Sequence, residues 1–341
     1  MNVAVTGAGS TVARPVIAAL ERDPGIESIL ALDIRPYKGI RSAKIRSRIA
    51  DVRDRGALLS AFSSVSAVIH LAFVVVTDVP DGPSIREVNI AGSRRVLQAA
   101  ADSGVQKVIY TSSVAAYGAV PGNPPVLTED APCRGLENER NFYYAYTKAA
   151  VEQIMEDFAR SHPDIVVTRF RSSILVGPRI LEDSYQLRLL SGLAGPSRSF
   201  WGFRPVGANG RLAQYTHEGD LSEAVLHALY HEMPGAYNIA GEPLDLESYL
   251  RSKGKTFRPI PWAPAHALAW LLSPFSSRMR LARAWLVSAR YRNILDCSKL
   301  RRSGFGKTLR TTFECLEDVT AFLAESRAAG AKEAHCLKVD R

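Results

Sequence analysis

Long apolar runs are absent from this chain of 341 residues: no stretch of about 18 apolar residues occurs, so no membrane-spanning helix is expected. Met1 leads straight into the apolar run Val3-Ala4-Val5, so no signal peptide is expected either. Cysteine is scarce, with only Cys133, Cys297, Cys315 and Cys336, no CxxC pair and no His at ligand spacing. That excludes a disulfide framework and a zinc site, predicts no bound metal, and fits a reducing cytoplasm. Aromatic residues do not interleave with the basic ones, so the net charge of +9 does not describe a groove for nucleic acid. Much of the excess lies between Arg35 and Arg55 and between Arg278 and Arg310, and reads as a solvated face, or more sharply as attraction for an anionic cofactor. With 46% apolar and 23% charged residues, the chain describes an ordinary globular protein of one large or two interleaved domains. No internal repeat is present.

The organising stretch is VAVTGAGSTVA, residues 3 to 13. An apolar run enters a turn of Gly and Ser, and Val12, Val16, Ile17 and Leu20 leave it at helical spacing, which predicts strand, glycine loop and helix. Gly7 permits the tight turn, Gly9 permits close backbone approach, and Ser10, Thr11 and Val12 lead into a helix N-terminus suited to a pyrophosphate. A second apolar run, SILALDI (28 to 34), contains Asp33, about 20 residues past the loop, where the ribose hydroxyls of a dinucleotide would be held.

Further along, a basic loop (Arg35, Lys38, Arg41, Lys44) precedes a short strand followed by Asp51 and Val52. AVIHLAF (67 to 73) predicts a strand buried on both faces, and its His70 reads as a satisfied core residue. Residues 84 to 101, with Asn89, predict a long amphipathic helix, and KVIYTSSV (107 to 114) a strand ending in Ser112 and Ser113. A polar Pro- and Gly-rich loop follows Tyr117 and suits a site cover. The helix at 141 to 161 sets Tyr144 and Lys148 four apart on one face. DIVVTRFRSSILVGP adds a strand, and from about residue 176 a more irregular substrate-facing region is expected. HEGDLSEAVLHALYH predicts a helix entered through Asp220, then come the strand AYNIA and a helical, basic C-terminal half.

Ser113, Tyr144 and Lys148 form the best catalytic set, because strand ends and the helices after them converge in a nucleotide fold. A free Tyr, with a pKa near about 10, is a poor base at neutral pH, and an ammonium one turn away favours its anion. Ser113 would hold a substrate oxygen while Tyr144 moves its proton. Tyr143 and Tyr146 lack a Lys at i+4.

Together these residues resemble the extended short-chain dehydrogenase/reductases, the NAD-dependent epimerase/dehydratase group, over residues 1 to about 240. VTGAGSTVA is similar to the family's TGxxGxxG turn, VNIAGSRRVLQAA to its VNxxGTxNVLEAA helix, YAYTK to YxxxK, YTHEGDLSEAV to its FVHVDDVAxA segment and YNIAG to YNIGG. The resemblance implies a Rossmann-type α/β fold, a doubly wound parallel sheet with a smaller, mostly helical C-terminal substrate region. Residues 1–175 with 212–240 would bind the cofactor, 176–211 and 241–330 the substrate, and 331–341 would form a tail. It further implies NAD held by Asp33, by Asp51 and Val52 on the adenine side, by Leu71 and Ala72 at the fourth strand, and by Lys148. It selects Ser113 over Ser112, four residues before Tyr117, and suggests a homodimer through 84–101 and 142–160. Arg35, with Arg41, weakens the preference against a 2′-phosphate and leaves NADP open.

Several positions depart from the family pattern. Ser10 and Ala13 replace the second and third glycines, and Gly219 replaces one Asp. Ser172 and Ala213 stand where sugar-nucleotide epimerases carry an Asn and an Arg, with Arg211, Arg188 and Arg204 as the nearest replacement cations. The apolar stretch bearing Trp262, Trp270 and Trp285 reads as a pocket wall or as helical core. The resulting expectation is a cytoplasmic NAD-dependent oxidoreductase acting at an alcohol or ketone carbon of a small or apolar substrate. The alternatives are a nucleotide-sugar epimerase or dehydratase, a non-catalytic NAD(P)-binding regulator, and a peripheral membrane role for residues 262 to 292.

Overall fold

The chain's apolar runs become the strands of one parallel sheet in the computed structural model, which describes residues 1–75, 82–181, 197–204 and 210–339. Its strands are β1 (Asn2–Thr6), β2 (Ser28–Asp33), β3 (Ile45–Ile49), β4 (Ala67–His70), β5 (Lys107–Ser113), β6 (Val166–Ser172) and β7 (Gly235–Ile239). Their order is β7-β6-β5-β4-β1-β2-β3, and every neighbouring pair is parallel. The chain reverses direction of travel across the sheet between β1 and β4, so a crevice opens beyond the carboxyl ends of those strands.

Alternation along β1 assigns its side chains to two layers. Val3 and Val5 join α1 (Ala13–Arg22) and Leu221, Val225 and Leu229 of the helix Glu218–Tyr230 in one core. Ala4 joins Leu58 and Phe62 of α2 (Arg55–Phe62), Val96 and Leu97 of α3 (Gly92–Asp102), and Val151 and Met155 of α4 (Tyr143–Ser161) in the other. Burying each of the larger aliphatic or aromatic side chains contributes about 1.5–3 kcal/mol. We number the helix Glu218–Tyr230 α5. It begins two residues before Asp220, because His217 Nδ1 accepts the Gly219 amide at 3.0 Å and so serves as the cap. Asp220 instead lies in the first turn and accepts from the Arg310 backbone and guanidinium at 2.9 and 2.7 Å.

The expected long helix around Asn89 is present from Gly82 to Asp102, but five residues, Glu87–Ala91, wind as a π-helix. Gly92 follows at a point where a Cβ would lie 2.7 Å from Val52 Cγ2, so only glycine lets the helix approach this closely.

A separate apolar cluster of Val176, Tyr249, Leu250, Leu316, Val319 and Leu323 forms beyond the sheet. It includes residues of the C-terminal helix, while α6 (Trp262–Leu272) and α7 (Ser277–Arg290) pack on each other, α7 also against Phe142 and Ala145; α8 (Thr312–Val339) runs on through most of the expected tail. Strands Ser199–Phe203 and Thr256–Ile260 pair in parallel at the same end. Among the described residues no helix is long and apolar enough to cross a membrane.

Candidate active site

At the carboxyl end of β1 the chain turns with Gly7 at φ +69°. A Cβ on Gly7 would lie 2.5 Å from the Ala72 amide nitrogen, which rules out any other residue there without backbone movement. The Gly9 amide donates to Asp33 Oδ2 at 2.9 Å, and the Arg35 amide to Asp33 Oδ1 at 3.2 Å, so the Asp33 carboxylate is fixed at the lip of the turn. Ser10 closes the turn by donating its amide to Gly7 O at 2.9 Å, and its Oγ accepts the Ala13 amide at 3.3 Å. Val12, the residue before α1, offers no side-chain cap, and the amides of Thr11 and Val12 have no partner among the described residues. A cradle with no room for a Cβ, unpaired amides at a helix N-terminus and a fixed carboxylate match the needs of a dinucleotide.

Ala72 connects this turn to a buried polar chain. Its amide donates to Thr6 Oγ1 at 3.4 Å, Thr6 Oγ1 bonds His70 Nδ1 at 2.7 Å, His70 Nε2 bonds Ser93 Oγ at 2.9 Å, and Ser93 Oγ donates to Asn89 O at 2.5 Å. With the Ser93 proton spent on Asn89 O, His70 carries its own on Nε2 and accepts at Nδ1. Burial, with the nearby charge of Lys148, lowers the His70 pKa to about 3, so the ring is neutral, in agreement with its reading as a core residue. Asn89, inside the π turn, exchanges two bonds with the Val74 backbone at 2.8 and 3.0 Å and pins the segment after β4. The Asn89 signal was visible in the sequence; the π turn that aims it was not.

Ser113 ends β5 and Tyr144 stands in the first turn of α4, close enough for the Ser113 side chain to act on the Tyr144 phenol. Ser112 is buried on the other face of the strand. Burial raises the Tyr144 pKa while the nearby Ser113 hydroxyl opposes the shift, so the resting group is a neutral phenol. This corrects the expectation that Lys148 favours the anion. The Lys148 ammonium lies 5.9 Å from the Tyr144 ring and is spent elsewhere: it donates to Thr111 O at 2.8 Å and Tyr110 Oη at 3.1 Å and sits 3.7 Å over the Phe73 ring. Burial lowers the Lys148 pKa to about 7, against the raising influence of Glu152 one turn further along α4.

Aromatic side chains surround Tyr144. Phe73 meets it edge-on at 5.8 Å, Phe142 at 5.9 Å and Trp285 of α7 at 6.0 Å, and Phe142 also packs against Trp285 at 5.4 Å. Trp285 is thus a wall of the site, as the sequence suggested. Trp262 instead ties α6 to α7, donating Nε1–H to Leu286 O at 2.8 Å, and Trp270 is 62% exposed and lines nothing.

The remaining expected cofactor residues are placed as follows. Leu71 is buried and bonds Thr6 O at 3.1 Å. Val52 is buried against Gly92, whereas the Asp51 carboxylate is held by the Arg53 guanidinium at 2.7 Å, which lowers its pKa. Arg35 is exposed beside Asp33.

Ser172 and Ala213 are both buried. Of the three replacement cations, Arg204 is paired with Glu247 at 2.6 Å, Arg211 is exposed, and Arg188 lies outside the described residues. Sequence reading missed Arg292, which is half-buried, donates to Leu212 O at 2.7 Å and has no carboxylate within 4 Å among the described residues. Desolvation lowers its pKa and neighbouring Tyr215 opposes the shift.

It also missed a buried ionic network. Arg171 on β6 donates from Nε and Nη2 to the two Glu152 oxygens, each at 3.0 Å, and from Nη1 to Tyr117 Oη at 2.9 Å. Tyr117 Oη donates to Asn238 Oδ1 at 2.7 Å. The sequence RFRSS gave the signal, two arginines in a strand that is otherwise buried. Cys133, Cys297 and Cys315 are free thiols whose pKa values burial raises to about 11, 12 and 12, and no metal-holding cluster occurs among the described residues.

An uncharacterized protein of Mycobacterium tuberculosis is 27% identical over 93% of this chain and 82% of its own length. The N-acetyl-alpha-D-glucosaminyl-diphospho-ditrans,octacis-undecaprenol 4-epimerase of Escherichia coli O157:H7 is 27% identical over 71% of this chain and 68% of its own. The solved structure of MoeE5 in complex with UDP-glucuronic acid and NAD shares the fold, with a TM-score of 0.70, 21% identity and coverage of 96% of this chain and 100% of that one. The family model for the NAD dependent epimerase/dehydratase family matches residues 3–240, and the chain is an enzyme belonging to that family.

Proposed function

We propose that this enzyme transfers hydride between NAD and an alcohol or ketone carbon of a small or apolar substrate, with Tyr144 as the acid/base group. The observation that carries this reading is the placing of Tyr144 beside Ser113, with Phe73, Phe142 and Trp285 packed around its ring. Gly7, Gly9, Ser10, Thr11, Val12 and Asp33 would hold NAD, with Leu71, Ala72 and Lys148 beside the nicotinamide half and Asp51 and Val52 toward adenine. Bound nicotinamide supplies or accepts the hydride. Ser113 orients the substrate oxygen by hydrogen bonding, and Tyr144 donates its proton to that oxygen in reduction or takes it in oxidation. A phenol protonated at rest is the form that reduction needs. The aromatic wall excludes water from the carbon that reacts and favours an apolar substituent there.

The cofactor would sit on residues 1–175 with 212–240, and the substrate between them and 176–211 with 241–330. A homodimer through α3 and α4, which pack side by side on one layer, belongs to the same proposal, and sedimentation equilibrium tests it. Turnover of a panel of ketones and alcohols followed at nicotinamide absorbance tests the reaction. Net change with apolar ketones supports it, and absence of net change with any of them, alongside epimerised sugar nucleotide products, overturns it.

A second reading, a sugar-nucleotide epimerase or dehydratase, draws on Arg292, a half-buried cation without a carboxylate, and on the E. coli epimerase's likeness. Charge-assisted bonds from such an arginine suit a diphosphate.

A further inference from the structure

The hairpin of α6 and α7 carries apolar side chains on two opposite sides. Its inner side is ordinary packing: Ala269 is buried, and the Trp262 ring stacks on His266 at 4.4 Å while its Nε1–H anchors to α7. The outer side is the anomaly. Leu268, Leu271 and Leu272 recur at i, i+3 and i+4, Phe275 follows in the turn after α6, and the four are between 38% and 88% exposed. A helix of a water-soluble domain normally turns such a stripe inward, and a contiguous exposed patch of this kind marks an interaction surface.

The segment that carries the stripe is one-sided in charge along the sequence. Residues 248 to 295 contain nine Lys and Arg and no Asp or Glu, which equals the whole chain's net charge of +9. Lys253 is held by Glu317 at 2.8 Å, Arg251 lies 3.9 Å from Glu247, Lys255 donates to Ser197 O at 2.9 Å, Arg292 is held by a backbone carbonyl and Arg290 lies over the Trp262 ring at 4.3 Å, while Arg258 is exposed.

We propose that this hairpin docks on the surface of a bilayer that contains anionic phospholipids, with Leu268, Leu271, Leu272 and Phe275 entering the headgroup and acyl boundary. An apolar helix face next to a segment rich in cations and empty of acids matches the interfacial layer of such a membrane. At 11 residues α6 lies in the interface and does not span it, since a span needs about 20. A second copy of the chain is the poorer occupant, because a two-fold interface would set this cation-only segment against itself. Trp285 on α7 faces Tyr144, so the hairpin has one side on the membrane and the other in the site. Docking is independent of the reaction assigned above, and its test reads lipid binding instead of turnover.

The experiment floats the full chain with extruded vesicles of phosphatidylcholine alone, or with about one-third phosphatidylglycerol, at about 0.1 and 0.5 M salt. The chain is expected to float with the anionic vesicles at low salt and to be largely released at high salt. Leu271→Ser with Phe275→Ser should weaken binding about tenfold or more while melting temperature and turnover are kept, because both side chains are exposed. Three results would overturn the proposal: no flotation with anionic vesicles at low salt, flotation unchanged by the double substitution, or a soluble dimer that the double substitution splits, which assigns the stripe to a second copy.

Discussion

The indole of Trp285 lies 6.0 Å from the Tyr144 ring, centroid to centroid, with the planes tilted by 36°. A residue from the C-terminal hairpin therefore completes the surroundings of a side chain on the sheet's own helix. Trp285→Ala removes that wall without touching the phenol. The expected result is a rise in KM for apolar substrates of about tenfold or more with a smaller change in kcat, since the lost contact is mainly binding. Steady-state kinetics on the best ketone of the panel checks it.

Tyr144→Phe keeps the ring that packs against Phe73, Phe142 and Trp285 and removes only the proton donor. Turnover should fall about 10²- to 10⁴-fold, with NADH binding and melting temperature kept. Near-full turnover in this variant, with loss in Tyr143→Phe or Tyr146→Phe, would move the acid/base role to another ring.

Asp33 accepts the Gly9 and Arg35 amides, which leaves its carboxylate facing the turn where a ribose would lie. A 2′-phosphate there meets like charge, so NADH should bind about tenfold or more tighter than NADPH, and Asp33→Ala should erase most of the difference. Fluorescence titration of both cofactors decides the matter; tighter NADPH binding, unchanged by the substitution, rejects the role.

Much of this arrangement was legible in the sequence, and what was missed has a physical pattern. Apart from the edge strand β3, IRSRI, the strands of the sheet are largely buried and their apolar runs announce them, and Gly7 and Asp33 lie at strand ends where spacing alone locates them. A strand end at Ser112 and Ser113 and a helix face with Tyr144 and Lys148 followed from period, while the choice of Ser113 over Ser112 came from the family resemblance. Long-range pairing was not. Arg171 finds Glu152 nineteen positions away and Arg292 finds Leu212 eighty away, distances over which periodicity says nothing. The π turn at Glu87–Ala91 was also hidden, since one extra residue in a turn barely disturbs an amphipathic pattern. The direction of the Tyr144 shift was read wrongly because one turn of helix fixes where Lys148 starts, not where its long side chain ends.

The Arg171–Glu152 pair is buried on both sides, so breaking it strands a guanidinium in the core. Burial raises the Glu152 pKa, but Arg171 and Arg169 outweigh it and the net shift is downward. Glu152→Gln should cost about 3–5 kcal/mol in urea unfolding at neutral pH. A carboxyl depressed in the folded state stabilises above its unfolded pKa and loses that contribution as pH falls through the folded one. The gap between wild type and Glu152→Gln should therefore narrow below about pH 4.

Lys148 makes a prediction of the same sense in a higher pH window. Its folded pKa of about 7 lies below the usual 10.5, so between those values the unfolded chain binds a proton that the folded one does not. Stability should rise with pH across that window, by about 1 kcal/mol or more, and the rise should be absent in Lys148→Met. Chemical unfolding of the cofactor-free protein at intervals from about pH 6 to 10 measures it, and equal slopes in the two proteins would mean that Lys148 stays charged.

Arg292 decides between the two substrate classes. Ala213 and Ser172 have taken two positions where a sugar-nucleotide enzyme's diphosphate anchors are expected, and Arg204 is already paired with Glu247. A diphosphate is costly to bury without donors, and one arginine already bonded to Leu212 O is a weak clamp. NAD-loaded protein should therefore show no saturable micromolar binding of UDP, GDP, dTDP or CDP by calorimetry, and Arg292→Ala should leave turnover of apolar ketones within about threefold. Micromolar binding of any of these nucleotides, abolished by Arg292→Ala, would make that arginine the diphosphate anchor. The substrate would then be a nucleotide sugar, and Trp285 would pack against its sugar ring in place of an apolar ketone.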